Sequence, residues 1–252
     1  MFDKILESCT YLLNNFPEAQ LCKDYLNKRL NEDSQKTFEF GYIPNINNIK
    51  SITSIIGEDE LKKNKLLFSR EIEDSLFPRT IHSCYFEDYP LIMPFKDPYG
   101  KVVALVGRTL LSDEERSLKQ ISKYKNTQDF KKGNYVFGLF ENKKSILEKD
   151  CVYVVEGQFD VIKSVESGLT NIVALGSSNM SYYQLSLIAR YTNNIFLLLD
   201  NDEAGEKGRK RIIDKFGKLS NIRNMYLPDP YKDIDEFFSQ NSYDDLSFII
   251  KD

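Results

Sequence analysis

The 252-residue sequence is poor in the side chains that hold soft metals or staple a fold: it has one histidine and four cysteines. Cys9, Cys22, Cys84 and Cys151 are scattered, form no C-x2-C pair and have only His82 to join them. A tetrahedral zinc site needs four such ligands at defined spacing, and a disulfide framework needs denser cysteine, so neither is expected. The cysteines read instead as small apolar residues in a reducing compartment, and His82 as an ordinary surface or hydrogen-bonded histidine. No apolar run approaches the ~20 residues that cross a bilayer, and the N-terminus lacks a signal-peptide pattern. The expectation is a soluble cytoplasmic protein with no membrane partner. A G-x-x-x-x-G-K-[ST] phosphate loop is also missing, which excludes a fused P-loop motor. An excess of positive charge is missing too: 34 Lys and Arg against 38 Asp and Glu leave a net charge of −4. Such a chain does not grip a polyanion with its whole surface. Any nucleic-acid contact must come from a local basic groove and be salt-sensitive.

What the sequence does have is acid at three chosen places. Glu156-Gly157-Gln158-Phe159-Asp160, Asp200-Asn201-Asp202-Glu203-Ala204-Gly205 and Asp233-Ile234-Asp235 each stand just past an apolar run. The runs Val152 to Val155, Ile195 to Leu199 and Ile222 to Leu227 read as buried strands. Helical patterns separate them, which predicts a β-α-β-α-β-α-β unit with a parallel sheet and right-handed crossovers. In that arrangement every strand ends at one shared edge, where ligands bind. Glu156, Asp200, Asp202, Asp233 and Asp235 are therefore expected to converge. Two negative charges about 4 Å apart repel by roughly 4 kcal/mol at an effective dielectric near 20. Carboxylates at that density need a cation, and all-oxygen ligation points to Mg2+ or Mn2+ rather than zinc. The competing reading, that these acids only cap helix N-termini, fits Asp160 and Glu203 best.

Ahead of this unit the pattern changes. Residues 1–30 read as two amphipathic helices: Ile5, Leu6, Cys9, Leu12 and Leu13 follow helical spacing, and Pro17 suits a first helical turn. Residues 45–80 read as mixed and mostly helical. Two apolar runs between Leu91 and Arg108 flank Asp97-Pro98-Tyr99-Gly100, a type I turn sequence, so a β-hairpin or meander is expected. Residues 111–134 are polar and lysine-rich, with Lys119, Lys123, Lys125, Lys131 and Lys132 close together. Taken alone, such a run is most often a solvated surface.

The acidic motifs carry a resemblance. E-G-x-x-D after one strand and D-x-D-x-A-G after a later one, followed by a further D-x-D, resemble the Toprim fold shared by DnaG-type primases, topoisomerases and some nucleases. Glycine at 157 is expected to permit a sharp turn and glycine at 205 to relieve crowding at a helix start. The upstream half resembles the catalytic core of DnaG-type primases, including the primase halves of phage primase-helicases. The similarity runs through Tyr25-Leu26-Asn27-Lys28-Arg29-Leu30, Phe40-Gly41-Tyr42-Ile43-Pro44, Met93-Pro94-Phe95 to Gly107-Arg108-Thr109-Leu110, Lys123-Tyr124-Lys125-Asn126-Thr127, Phe130-Lys131-Lys132-Gly133 and Phe137-Gly138-Leu139. The blocks are collinear from about residue 10 to about residue 240. The chain departs from the pattern at Leu30 and Asn201, where glycine is usual, and at Leu105-Val106-Gly107, which lacks the first of two paired glycines.

The resemblance implies an α/β protein with an N-terminal mixed α+β subdomain (1–148), a Toprim subdomain (149–240) and a C-terminal tail or start of a helical subdomain (241–252). It implies a chain that starts at the core without the family's zinc-binding domain and ends without its helicase-binding module. It turns the lysine-rich run into a substrate groove, with Arg29, Arg108, Lys123 and Lys132 matching residues used for template or nucleotide phosphates. The implied activity is divalent-metal-dependent synthesis of short RNA primers from NTPs on single-stranded DNA, a nucleotidyl transfer. Asp200 and Asp202, two apart on an extended segment, become the primary metal ligands. Asp233 and Asp235 complete the shell, Glu156 serves as a further ligand or as the general base, and Asp160 orients the site. A replicative helicase or a separate template-recognition protein is the implied partner, and phage origin in a bacterial host is compatible. The rival readings are a Toprim nuclease with water as the attacking group, and a non-catalytic replisome DNA-binding protein on a primase scaffold.

Overall fold

A computed structural model describes residues 2–72 and 79–249 of the chain, which divide into two compact units. The first comprises Met1–Phe95 and Val102–Phe130, and the second Lys96–Lys101 and Lys131–Asp252.

In the first unit, helix α1 (Phe2–Asn15) buries Ile5, Cys9 and Leu12 on one stripe, as the spacing predicts. Pro17 opens a short 3-10 turn that leads into α2 (Gln20–Arg29). Helix α3 (Glu32–Phe38) starts at Asn31, whose side chain accepts the Ser34 N–H at 2.8 Å. The chain then forms β1 (Gly41–Tyr42), α4 (Ile49–Ile56), α5 (Glu58–Lys63) and a pair of antiparallel strands, β2 (Leu67–Ile72) and β3 (Arg79–Cys84). The mostly helical expectation for 45–80 thus holds only to residue 63; the later half pairs as strands, and residues 73–78 lie outside the described residues. The two strands are consecutive and pair antiparallel from Ile72 opposite Arg79 to Leu67 opposite Cys84, so strand pairing overrides the helical reading of this stretch. Strands β4 (Leu91–Lys96) and β5 (Val102–Arg108) are neighbours in a sheet ordered β1-β4-β5-β6, with helix α6 (Asp113–Lys119) preceding β6 (Tyr124–Asn126). The Asp97–Gly100 turn between them closes with the Gly100 N–H on the Asp97 carbonyl at 3.0 Å. Leu91, Ile92, Met93 and Phe95 of β4 and Ala104, Leu105 and Val106 of β5 are fully buried.

The second unit contains α7 (Leu139–Lys149), β7 (Val152–Val155), α8 (Gln158–Glu166), β8 (Ile172–Ala174), α9 (Tyr182–Ile188), β9 (Asn194–Leu197), α10 (Glu203–Phe216), β10 (Asn221–Asn224), α11 (Ile234–Phe238) and α12 (Tyr243–Ile249). Its sheet has the order β10-β9-β7-β8 with every pair parallel, as the alternating pattern predicts. Val152, Val154, Val173, Ile195, Leu197, Ile212 and Phe216 form the core between sheet and helices. β7 is buried on both faces and rich in valine, whereas β9 buries Ile195 and Leu197 and leaves Asn194 and Phe196 half-buried. One strand differs from its expectation: β10 is an edge strand with Asn221, Arg223 and Asn224 exposed, not a buried run. Its apolar continuation is spent on Leu227, which is buried past the strand end.

The central position of β9 yields a prediction. Leu197 is fully buried, so Leu197→Ala should cost about 2–5 kcal/mol of unfolding free energy, read from chemical denaturation.

Candidate active site

Strands β7 and β9 are adjacent and parallel with Val154 opposite Leu197. Glu156 and Asp200, which follow them, therefore leave the sheet at the same edge. The pairing continues past the last ladder residue through the Leu198 N–H on the Val154 carbonyl at 2.9 Å. Helix α11 packs on α8, and this contact brings the third residue of α8 to the start of α11. Carboxylate oxygens of Asp160, Asp233 and Asp235 consequently lie within 4.8 Å of one another.

Two glycines make this crowding possible. The Asp160 carboxylate accepts the Gly157 N–H at 2.9 Å, and a Cβ at 157 would stand 2.9 Å from that same oxygen. Gly157 itself is extended, with φ −106°, so its role is to admit the carboxylate and not to provide the sharp turn expected from the sequence. A Cβ at 205 would overlap the Asp200 carbonyl oxygen, which is the crowding expected at that helix start.

The electrostatics follow from burial and repulsion. Burial, then the Asp200 and Asp202 charges, pushes Glu156 up to about 7. One of its oxygens, Oε1, is buried without a hydrogen-bond partner. Asp200 is pushed up to about 6 by burial and then by Asp233. Asp160, 8% exposed, is raised well above the usual carboxylate range by burial and then by Asp233 and Asp200. Asp202 moves the other way. Its Oδ1 accepts the Ala204 and Gly205 N–H groups at 3.0 and 2.9 Å as the cap of α10, and its Oδ2 lies 3.2 Å from Lys232 Nζ. The Gly205 hydrogen bond leads in holding its carboxyl below the usual range.

These residues fit a hard divalent cation: oxygen donors only, an orphaned buried carboxylate oxygen, and charges that raise one another's proton affinity. The set that converges differs in emphasis from the set the sequence suggests. Asp160 joins Asp233 and Asp235, whereas Asp202 is committed to a cap and an ion pair. A signal for Asp160 was present, since it is a lone acid in the apolar turn Phe159-Asp160-Val161-Ile162. Lys232 and Arg209, the cations within reach of these acids, were not singled out.

The basic residues are placed as follows. In the first unit, Arg108 is 6% exposed and lies between the rings of Tyr25 and Tyr124, 4.9 and 5.1 Å from their centroids. Arg29 donates to the Tyr25 hydroxyl at 2.6 Å, and exposed Lys123 stands 5.9 Å from the Tyr124 centroid. Three of the four phosphate-binding candidates thus share one aromatic cluster. Tyr25 and Tyr124, which organise it, carry no role of their own in the sequence motifs that contain them. Lys132 belongs to the second unit, where it is half-buried and donates to the Gly176 carbonyl.

A fold of this kind with acids at the strand ends defines the Toprim class, and a Toprim-like family model matches residues 153–238. A second model, the N-terminal domain of the DNA primase catalytic core, matches residues 10–143. The chain belongs to the DnaG-type primase catalytic-core family. It is 27% identical over 253 residues to the DNA primase of Aquifex aeolicus, covering 96% of this chain and 47% of that protein. It is 31% identical over 243 residues to the DNA primase of Synechococcus elongatus, covering 91% of this chain and 33% of that protein. The crystal structure of the Aquifex aeolicus primase zinc-binding and RNA polymerase domains superposes with a TM-score of 0.76 at 27% identity, covering 98% of this chain and 59% of that one. A DnaG primase catalytic domain bound to single-stranded DNA has the same fold, with a TM-score of 0.79 at 24% identity over 99% of this chain and 78% of that one. The chain spans between 33% and 47% of the length of these two primases. Among the described residues, no helix is long and apolar enough to cross a membrane.

The raised carboxyl of Glu156 gives a signed pH dependence. A carboxyl whose folded value lies above its ordinary 4.5 costs stability when ionised; that cost is absent below 4.5 and complete above about 7. With divalent ions chelated, Glu156→Gln should melt like the natural chain near pH 4.5. Above pH 7 it should melt higher by several degrees. Melting curves across that range check the sign.

Proposed function

We propose that this chain is the polymerising core of a primase, joining ribonucleotides on a single-stranded DNA template. One observation carries the reading: Glu156, with its orphaned Oε1, and the Asp160, Asp233 and Asp235 oxygens stand at one sheet edge in a member of the primase core family. Asp160, Asp233 and Asp235 would hold one cation, and Glu156 with Asp200 would extend the shell. Asp202 would join them on release from Lys232. Mg2+ or Mn2+, when bound, supplies charge neutralisation on the phosphates and activation of the attacking 3′-hydroxyl.

The protein's own share is orientation and charge. The sheet edge fixes the carboxylates before substrate arrives, so little reorganisation is needed at the reacting phosphate. Glu156, in a site where its ionised form is disfavoured, yields its proton as positive charge arrives. We assign contact with template or nucleotide phosphates to Arg29, Lys123 and Lys132. Arg108, held between two rings, shapes the patch on which Arg29 and Lys123 stand. Tyrosines beside cations suit an extended single strand, whose bases have faces to stack and whose backbone has charge to neutralise. The site carboxylates outweigh these cations in the total, which is how a net charge of −4 coexists with a polyanionic substrate.

Incubation with single-stranded DNA, labelled NTPs and Mg2+ or Mn2+ should give short RNA. Asp200→Asn should lower that yield by about a hundredfold or more, with an unchanged circular dichroism spectrum. Degraded template without RNA would favour hydrolysis instead. Retained DNA binding with neither product would make the chain a scaffold.

A further inference from the structure

The residue inside D-x-D is engaged on every polar atom of its side chain. Asn201 Nδ2 donates to the Leu227 carbonyl at 2.9 Å and to the Tyr231 carbonyl at 3.0 Å. Its backbone N–H donates to the Lys232 carbonyl at 2.7 Å. Its Oδ1 accepts from Arg209 Nη2 at 3.3 Å. Because two carbonyls face one end of the amide and a guanidinium faces the other, the network fixes which end is nitrogen.

Each contact joins two parts of the acidic site. Leu227, Tyr231 and Lys232 belong to the irregular segment between β10 and α11, which has no ladder of its own and delivers Asp233 and Asp235. Residues 228–230 of it are exposed. Asn201 stands between Asp200 and Asp202. Arg209 is 1% exposed, also donates to the Leu199 carbonyl, and stacks on Tyr226 at 4.5 Å from its centroid. One side chain thus ties the end of β9 to the loop on one side and to a buried cation of α10 on the other.

We infer that Asn201, braced by Arg209, is a positioning residue: it clamps the 227–232 loop to the D-x-D segment and so sets the spacing of Asp200 from Asp233 and Asp235. A glycine at this position would keep the backbone N–H bond alone and leave the loop's two carbonyls without their amide donors. The inference rests on the metal-site reading above for its consequence, and on geometry alone for the clamp.

Two variants and two readouts test it on the full chain. Asn201→Gly removes the side chain. Asn201→Asp keeps its size and its acceptor facing Arg209, but turns an acceptor toward the Leu227 and Tyr231 carbonyls. Amide hydrogen exchange over residues 225–235, read without metal, should be faster in both variants, with exchange in β7 and β9 unchanged. Mn2+ affinity, read by electron paramagnetic resonance, should fall roughly ten- to hundredfold in Asn201→Gly, the usual cost of losing an outer-shell partner. Unchanged exchange in both variants overturns the clamp. Faster exchange with unchanged Mn2+ affinity overturns the positioning role. A natural chain that takes up no Mn2+ overturns the metal-site reading and the positioning role with it, a failure separable from the clamp because exchange is read without metal.

Discussion

Like charges packed at one edge of a parallel sheet are the constraint from which the rest of the second unit follows. Parallel strands must all end on the same side, so acids placed after β7, β9 and β10 cannot avoid one another. Burial, and then their mutual repulsion, raises Glu156, Asp200 and Asp160 together. The chain tolerates this because helix starts surround the acids. Asp233 accepts the Glu236 N–H of α11 at 2.8 Å, Asp202 caps α10, and Asp160 accepts the Gly157 N–H at the head of α8. Three helix N-termini thus supply part of the positive potential that a bound cation would complete. The capping contacts are present at these acids, and the proposed cation site draws on the same carboxylates.

Charge is handled differently in the first unit. There Arg108 is buried against aromatic faces, a setting that suits guanidinium better than the more strongly hydrated ammonium of lysine. Lysines stay further out: Lys125 leans over the Tyr85 ring at 4.0 Å while donating to the Tyr85 carbonyl at 2.6 Å. Burial pulls the Lys125 ammonium below its usual value. The lysine-rich run that looks like solvated surface in the sequence is in part an aromatic-backed cluster, and the tyrosines turn a collection of charges into a shaped patch.

Much of the fold was legible. Alternation of apolar runs with helical patterns gave the parallel sheet, and turn chemistry at Asp97–Gly100 gave the strand pair around it. The misses have separate causes. Strands β2 and β3 pair within one stretch, Ile72 opposite Arg79, where a mostly helical reading was expected. The edge position of β10 is set by β9, whose paired residues Asn194 to Leu197 lie a whole helix back in the chain. At Gly157 the neighbour is close by, the Asp160 carboxylate, and what spacing alone does not show is that it folds back onto the Gly157 N–H.

For the site, the sequence by itself determined that carboxylates would meet at one edge, because strand direction and residue order follow from connectivity. Only the tertiary structure decided which carboxylates face one another and which are occupied elsewhere. Packing of α11 on α8 gathers Asp160 with Asp233 and Asp235, while Lys232 and the start of α10 engage Asp202. A side chain has room to satisfy only a few partners, and which partners reach it is a property of packed elements, not of spacing along the chain.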